Sequence, residues 1–160
     1  MKRILLVVAI LFLWSTAKAQ AVSSPVNVYA AGASFNQSAT PAVAGTALYA
    51  HLVNDGSGTY AFTVYDVLPE LVKPFSVTSN VSVGVAQKLF SIGNVPILVP
   101  TSAGISFNGS NTGWAWTTGA MASIKIKGNW RVFPTVRIAK SSIGGSGYQP
   151  IVGVMFGWGK

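Results

Sequence analysis

The stretch that decides the fold is Trp114–Ile126, WAWTTGAMASIKI. Alternate residues Trp114, Trp116, Thr118, Ala120, Ala122, Ile124 and Ile126 are mostly apolar, with aromatics at one end. The intervening set, Ala115, Thr117, Gly119, Met121, Ser123 and Lys125, is small or polar apart from Met121 and carries a charge near its end. A period of two residues is the signature of a strand with two unlike faces. Ordinary globular strands run to about 5–6 residues. A tilted strand that crosses a bilayer needs about 9–11 plus rims, and this stretch has that length.

The rest of the chain agrees. Of 160 residues, 50% are hydrophobic and 9% charged, far below the ~25% charged of a typical soluble domain. Cys is absent and Gly is abundant, at 17, so closure of the fold has to come from packing or from the sheet itself. Residues Met1–Ala19 read as a secretory signal peptide: Lys2 and Arg3 form a basic start, Ile4–Trp14 an apolar run, and Ala17-Lys18-Ala19 an A-x-A-like cleavage site. The apolar run is too short for a membrane-spanning helix of about 20 residues. No later stretch reaches that length, so any membrane insertion by residues 20–160, read as a single domain, has to use strands.

Losing Lys2, Arg3 and Lys18 leaves eight of the eleven cations against three acids. The remaining cations are scattered, which argues against nucleic acid and favours strand-end and lumen charge. The plausible anionic counterparts of an exported chain are acidic lipid or lipopolysaccharide head groups.

After residue 19, apolar alternation is punctuated by turn signals. Eight strands are predicted: Val26–Phe35, Ala42–Val53, Thr59–Val67, Phe75–Phe90, Val95–Phe107, Trp114–Ile126, Trp130–Lys140 and Pro150–Trp158. Asn54–Gly58, Ser91–Asn94 and Lys127–Asn129 are the short connections, and those after the odd strands are mostly longer. The predicted fold is an all-β, eight-stranded antiparallel up-and-down barrel, because closure removes the two edges of an open meander. An even strand count puts both termini on one side, with the short turns, as in barrels inserted from the periplasm.

The faces set the direction of burial. Val132, Pro134, Val136 and Ile138 share one face of the seventh strand, and Arg131, Phe133, Thr135 and Arg137 the other. Val152, Val154, Phe156 and Trp158 alternate with Gly153, Met155, Gly157 and Gly159 in the eighth. Small residues suit a narrow eight-stranded lumen, and bulky ones suit lipid. Trp114 and Trp116 near one rim, with Trp130 and Trp158 near the other, are expected to form aromatic girdles. Lys125, Arg131 and Arg137 fall on the predicted inner face, where cations need partners. Asp66 and Glu70 are the acids available; the preferred reading is a plugged barrel with the cations snorkelling to the rims, and the other is a wet lumen in which water with Ser and Thr hydroxyls serves them. Pro96, Pro100 and Pro134 lie inside strands and each needs a bulge or a strand end. The lipid side of the second strand cannot be assigned, because Val43, Tyr49 and Val53 oppose Leu48 and Leu52.

Signal peptide, eight alternating strands and an aromatic last strand together resemble the small eight-stranded outer-membrane barrels of diderm bacteria, typified by the OmpA transmembrane domain and OmpX. The resemblance spans residues 20–160 and is one of pattern. It implies an envelope protein inserted by machinery that reads an aromatic C-terminal strand. Here Phe156 and Trp158 supply the aromatics, followed by Gly159 and Lys160. It carries over no catalytic residue.

Chemistry has few candidates. His51 is the sole histidine, and Asp55, Asp66 and Glu70 are the acids. No cluster has metal-ligand spacing, and no nucleophile, base and orienter can be placed together. A lipid-modifying enzyme would need His51 beside Ser57 or Asp55. Gly144-Gly145-Ser146-Gly147 lacks the Lys-Ser/Thr and helix of a phosphate loop. Asn36, Asn80 and Asn108 match the glycosylation pattern by chance.

The reading is therefore a bacterial outer-membrane barrel, monomeric, without catalysis or cofactor, with a structural or surface-interaction role. Its partners are outer-membrane lipid, lipopolysaccharide and the insertion machinery. Two alternatives remain: a soluble lipocalin-like barrel that binds an apolar ligand, and a narrow anion-leaning pore. The first predicts that Val132, Val136 and Ile138 pack inside.

Overall fold

Period-two alternation makes the strands, and the turns between them decide how they pair. A computed structural model of the chain describes residues 25–36, 42–70, 76–143 and 148–160. Residues 1–19, read as the signal peptide, lie outside them. The strands are β1 (Asn27–Asn36), β2 (Ala42–Asn54), β3 (Thr59–Glu70), β4 (Ser76–Ile92), β5 (Val95–Asn108), β6 (Asn111–Ala122), β7 (Ile124–Lys127), β8 (Trp130–Ser141) and β9 (Gln149–Gly159). β6 and β7 are one stave interrupted at Ser123, so the predicted sixth strand is broken rather than continuous. The staves are therefore eight, each antiparallel to its neighbours. β1 closes the ring on β9, from Val28↔Gly159 to Asn36↔Ile151. Among the described strands no edge is left to recruit another chain.

Turn chemistry accounts for the tight hairpins. Gly93 and Gly128 open two-residue turns with φ of 58° and 56°, the left-handed conformation that glycine adopts without steric cost. Together with the hairpin at 55–58 they form one end of the barrel, where both described chain ends also lie; we call it the turn end, and the opposite end the loop end. Two connections differ from expectation at the loop end. Asn108 pairs directly with Asn111, so Gly109 and Ser110 form a two-residue turn where a loop to Gly113 is predicted. β3 continues through Pro69 to Glu70, pairing with β4 down to Ser76, beyond its predicted end at Val67.

Burial runs inside out relative to a soluble protein. Val83, Val136, Ile138 and Phe156 point outward and are 65%, 49%, 46% and 60% exposed. Ser82, Ser102, Ser106, Thr117, Thr135 and Arg137 point inward and are buried. This disposes of the lipocalin-like alternative. In β2 the outer residues are Val43, Tyr49 and Val53, and Leu48 and Leu52 pack inside, because pairing with both neighbours fixes a face the sequence leaves ambiguous. The tight inward curl needs residues without side chains. At Gly119 an added Cβ would lie 2.1 Å from the carbonyl oxygen of Val136 on the next stave.

Candidate functional site: the barrel lumen

The inward residues divide the lumen into two storeys. The turn-end storey is apolar. Val28, Ala50, Tyr60, Phe62, Val64, Ala86, Leu98, Met121, Phe133 and Met155 form one buried cluster, with Leu48 and Leu52 packed against it. Every stave contributes, so the storey is a packed core. Burying an aliphatic or aromatic side chain here contributes about 1.5–3 kcal/mol, and an eight-stranded barrel is just wide enough for side chains to fill it.

The loop-end storey is polar. Arg137 on β8 reaches across the barrel to Asp66 on β3, four staves away and so diametrically opposite. The pairing is a fork: Nη2 donates to Oδ1 at 3.1 Å and Nη1 to Oδ2 at 3.3 Å. Thr46 Oγ1 accepts from Arg137 Nη2 at 3.3 Å and donates to Asp66 Oδ1 at 2.5 Å. The side chains of Arg137 and Asp66 are 6% and 5% exposed. Nearer the loop-end rim, Ser106 donates to Asn80 at 2.6 Å and accepts from Ser141 at 3.0 Å. Asn108 donates to Thr78 at 3.0 Å, and Ser102 and Thr117 share a bond of 3.0 Å. Forked charge pairs of this kind hold a fixed geometry, and this one spans the full diameter of the lumen as a crossbar.

The predicted lumen cations have three different fates. Arg137 finds an acid, Asp66, rather than only hydroxyls and water. Arg131 is buried at the turn end, with Nη1 donating to Ser123 Oγ at 3.1 Å. Lys125 does not join them: it is exposed. The reason is position, because Lys125 lies beyond the break at Ser123 and two residues from the Gly128 turn, where the lumen has ended. Its register partner is Arg131. The Glu70 side chain lies outside the described residues.

The four tryptophans predicted to form girdles lie on the outer face. Trp130 and Trp114 are exposed, and Trp158 and Trp116 are half-buried. At the turn end, Tyr29 stacks near Tyr49 and Trp158, with ring centroids 5.0 and 6.3 Å apart. At the loop end, Trp116 meets Tyr148 edge-on at 6.3 Å, and Lys140 sits 5.1 Å over the Tyr148 ring. Tyr29 and Tyr49 are register partners on the outer face, and Tyr148 is exposed just before β9.

His51 lies exposed on the outer face, its Nδ1 2.9 Å from Asn27 Oδ1, and Tyr49 donates to the same oxygen at 3.1 Å. The structure does not bring His51 together with Ser57 or Asp55; Ser57 instead shares a 2.6 Å bond with Thr59. Among the described residues no three His, Asp or Glu side chains gather where a metal could sit.

No protein-family model matches the chain, and no curated protein matches it. Solved structures do. The chain is similar to Neisserial surface protein A (NspA), an eight-stranded outer-membrane barrel, with a TM-score of 0.67 at 10% identity, covering 84% of this chain and 96% of that one. It is also similar to a de novo designed transmembrane β-barrel, with a TM-score of 0.52 at 14% identity, covering 86% and 99%. The fold is that of the transmembrane β-barrels, as the sequence pattern implies.

Proposed function

We propose that the chain is an outer-membrane protein of a diderm bacterium with a structural or surface-interaction role, and that it performs no catalysis. The observation that carries the reading is the reversal of burial: valines, isoleucines and aromatics outside, a crossbar of Arg137 and Asp66 inside. In water the outer face would be a continuous apolar patch far larger than soluble monomers tolerate. In a bilayer it is solvated, and closure pairs the backbone without an edge.

The crossbar and the apolar storey argue against a pore. The cavity in the turn-end storey has a volume of about 40 Å³, room for roughly three waters at ~10–15 Å³ each. Phe156 and Trp158 on the last strand suit the insertion machinery, and the two aromatic belts suit lipid and lipopolysaccharide at the interfaces. The chain is expected to be monomeric. Fractionation of expressing cells, followed by electrophoresis of heated and unheated samples, tests the reading. A membrane-bound band whose migration shifts on heating is expected; recovery from the soluble fraction overturns it. Planar-bilayer recordings should show no conductance steps.

A further inference from the structure

One sector of the wall is unlatched. β5 and β6 pair regularly down to Thr101↔Thr118 and resume at Leu98↔Met121. The two positions skipped are Pro100, opposite Gly119, and Val99, opposite Ala120. On its other side β6 pairs with β8 as far as Met121↔Thr135, and the ladder resumes only in β7 at Ile124↔Val132. The positions skipped there are Pro134, opposite Ala122, and Phe133, opposite Ser123. A proline has no N–H to donate, so the segment Gly119–Ser123 carries a proline on each flank and a gap in each ladder. We call this sector the seam.

The outer side of the seam is hollow. A cleft of about 460 Å³ lies there on the lipid face, a volume within the roughly 300–1,000 Å³ of ligand pockets. Ala120, Ala122 and Pro134 are its floor; Ile97 and Ile124 bank it on one side and Phe156 on the other. Small residues between large ones make the hollow. Thr135 brings the one hydroxyl to the lining, and that hydroxyl donates to the Ala120 carbonyl at 3.4 Å. The cleft therefore takes hydrocarbon.

Its turn end meets a belt of indoles and lysines. Across the staves Lys127 pairs with Trp130, and Trp130 with Trp158. Lys127 is exposed, and so is Lys160, two residues past Trp158. No Asp or Glu follows Glu70 in the chain, so no acidic side chain on β6–β9 neutralises these lysines. The cleft begins one row nearer the loop end, at Ile124, Val132 and Phe156, and reaches Ala120, Val136 and Val152. From Trp130 to Val136 the strand advances ~20 Å at about 3.3 Å per residue, which is ~15 Å of depth at a tilt near 40°. That is half of a hydrocarbon core about 30 Å thick, the depth of one leaflet.

Apolar walls one leaflet deep, with indoles at the interfacial level and lysines beside them, complement a lipid with an anionic head. A second copy of the chain fits less well, because a two-fold contact within the membrane would set the same lysines against each other. We propose that the cleft over the seam holds one acyl chain of an anionic glycerophospholipid, with its phosphate on Lys127 and Lys160 beside Trp130 and Trp158. The proposal rests on the membrane reading. Insertion is therefore established first, by the heat-dependent migration shift, whose absence fails that reading rather than the site.

The test is native mass spectrometry of the protein released from nanodiscs of phosphatidylglycerol and phosphatidylcholine in equal parts. One phosphatidylglycerol per chain should be retained, at least tenfold over phosphatidylcholine. Lys127→Gln with Lys160→Gln should remove most of that preference, about fivefold per lysine. Ala120→Phe fills the cleft from an exposed position and should lower retention of phosphatidylglycerol at least fivefold. Val83→Phe, exposed on the outer face of β4, should leave it unchanged. Retention of the two lipids in proportion to the mixture, undiminished retention by Ala120→Phe, or a lipid-free dimer of the protein overturns the site. An unchanged preference in the lysine variant overturns the placement of the headgroup.

Discussion

The two storeys of the lumen solve one packing problem by opposite chemistry. At the loop end, Thr46 pairs with Asp66, and Arg137 with Gly119 and Ile151, and the gap in the β5–β6 ladder begins only at Gly119, opposite Pro100. In this storey, polar side chains fill the space and most of them satisfy one another, Ser34 Oγ and Arg137 Nε being the buried polar side-chain atoms left without a partner among the described residues. At the turn end, apolar side chains fill it, and the wall is gapped on both flanks of Gly119–Ser123. The contrast has a physical basis. A polar network tolerates no slack, because each lost partner leaves a buried charge or hydroxyl exposed to low dielectric. An apolar cluster has no directional bonds and accommodates a flexible wall. The storey that can rearrange is thus the one beside the missing donors.

That difference can be broken experimentally. The largest effect is expected from Arg137→Met, which strands Asp66 in the lumen and should cost about 3–5 kcal/mol, read as a lowered urea midpoint for unfolding from vesicles. Adding Asp66→Leu to it should recover most of the loss, since an apolar pair of similar volume replaces the ion pair; a double mutant as unstable as the single one would show that the crossbar adds no coupling. On the outer face, Val83→Arg should cost about 2–4 kcal/mol in a bilayer, and the same protein should bind water-soluble detergent micelles with little penalty.

At the seam, Pro134→Val supplies a backbone donor opposite Ala122. It should stabilise by about 1 kcal/mol and slow amide exchange in Gly119–Ser123; unchanged exchange there would mean that the gap has another cause. The smallest effect belongs to Lys125→Gln. Lys125 and Arg131 are register partners of like charge, a destabilising arrangement, so the substitution should raise the midpoint by only a few tenths of a kcal/mol, and less at high salt.

Much of this was legible from alternation alone. The apolar sides of β4, β8 and β9 follow from Val81, Val83 and Val85, from Val136 and Ile138, and from Val154 and Phe156, because a period of two leaves no other way to segregate bulk from glycine. β2 resisted, since Val43 and Tyr49 oppose Leu48, and only pairing with β1 and β3 settled it. Asn108-Gly109 reads equally as the start of a loop or as a hairpin; the direct pairing of Asn108 with Asn111 chose the hairpin. The prolines at 96, 100 and 134 stood out as misfits one by one. That Pro100 and Pro134 border the same segment of β6 could not be read, because they lie thirty-four positions apart in the chain and meet only through the strands between them.

The sequence by itself determined that this chain is built from strands with one greasy face, that small residues occupy the other, and that three of the tight turns gather at one end. These are local properties, set by side-chain periodicity and by glycine at positive φ. Tertiary structure alone decided that Arg137 meets Asp66 across the diameter, that Lys125 stays out in solvent, and that two prolines unlatch one sector of the wall. Each of those depends on the closing of the ring, which brings together residues that no local spacing relates.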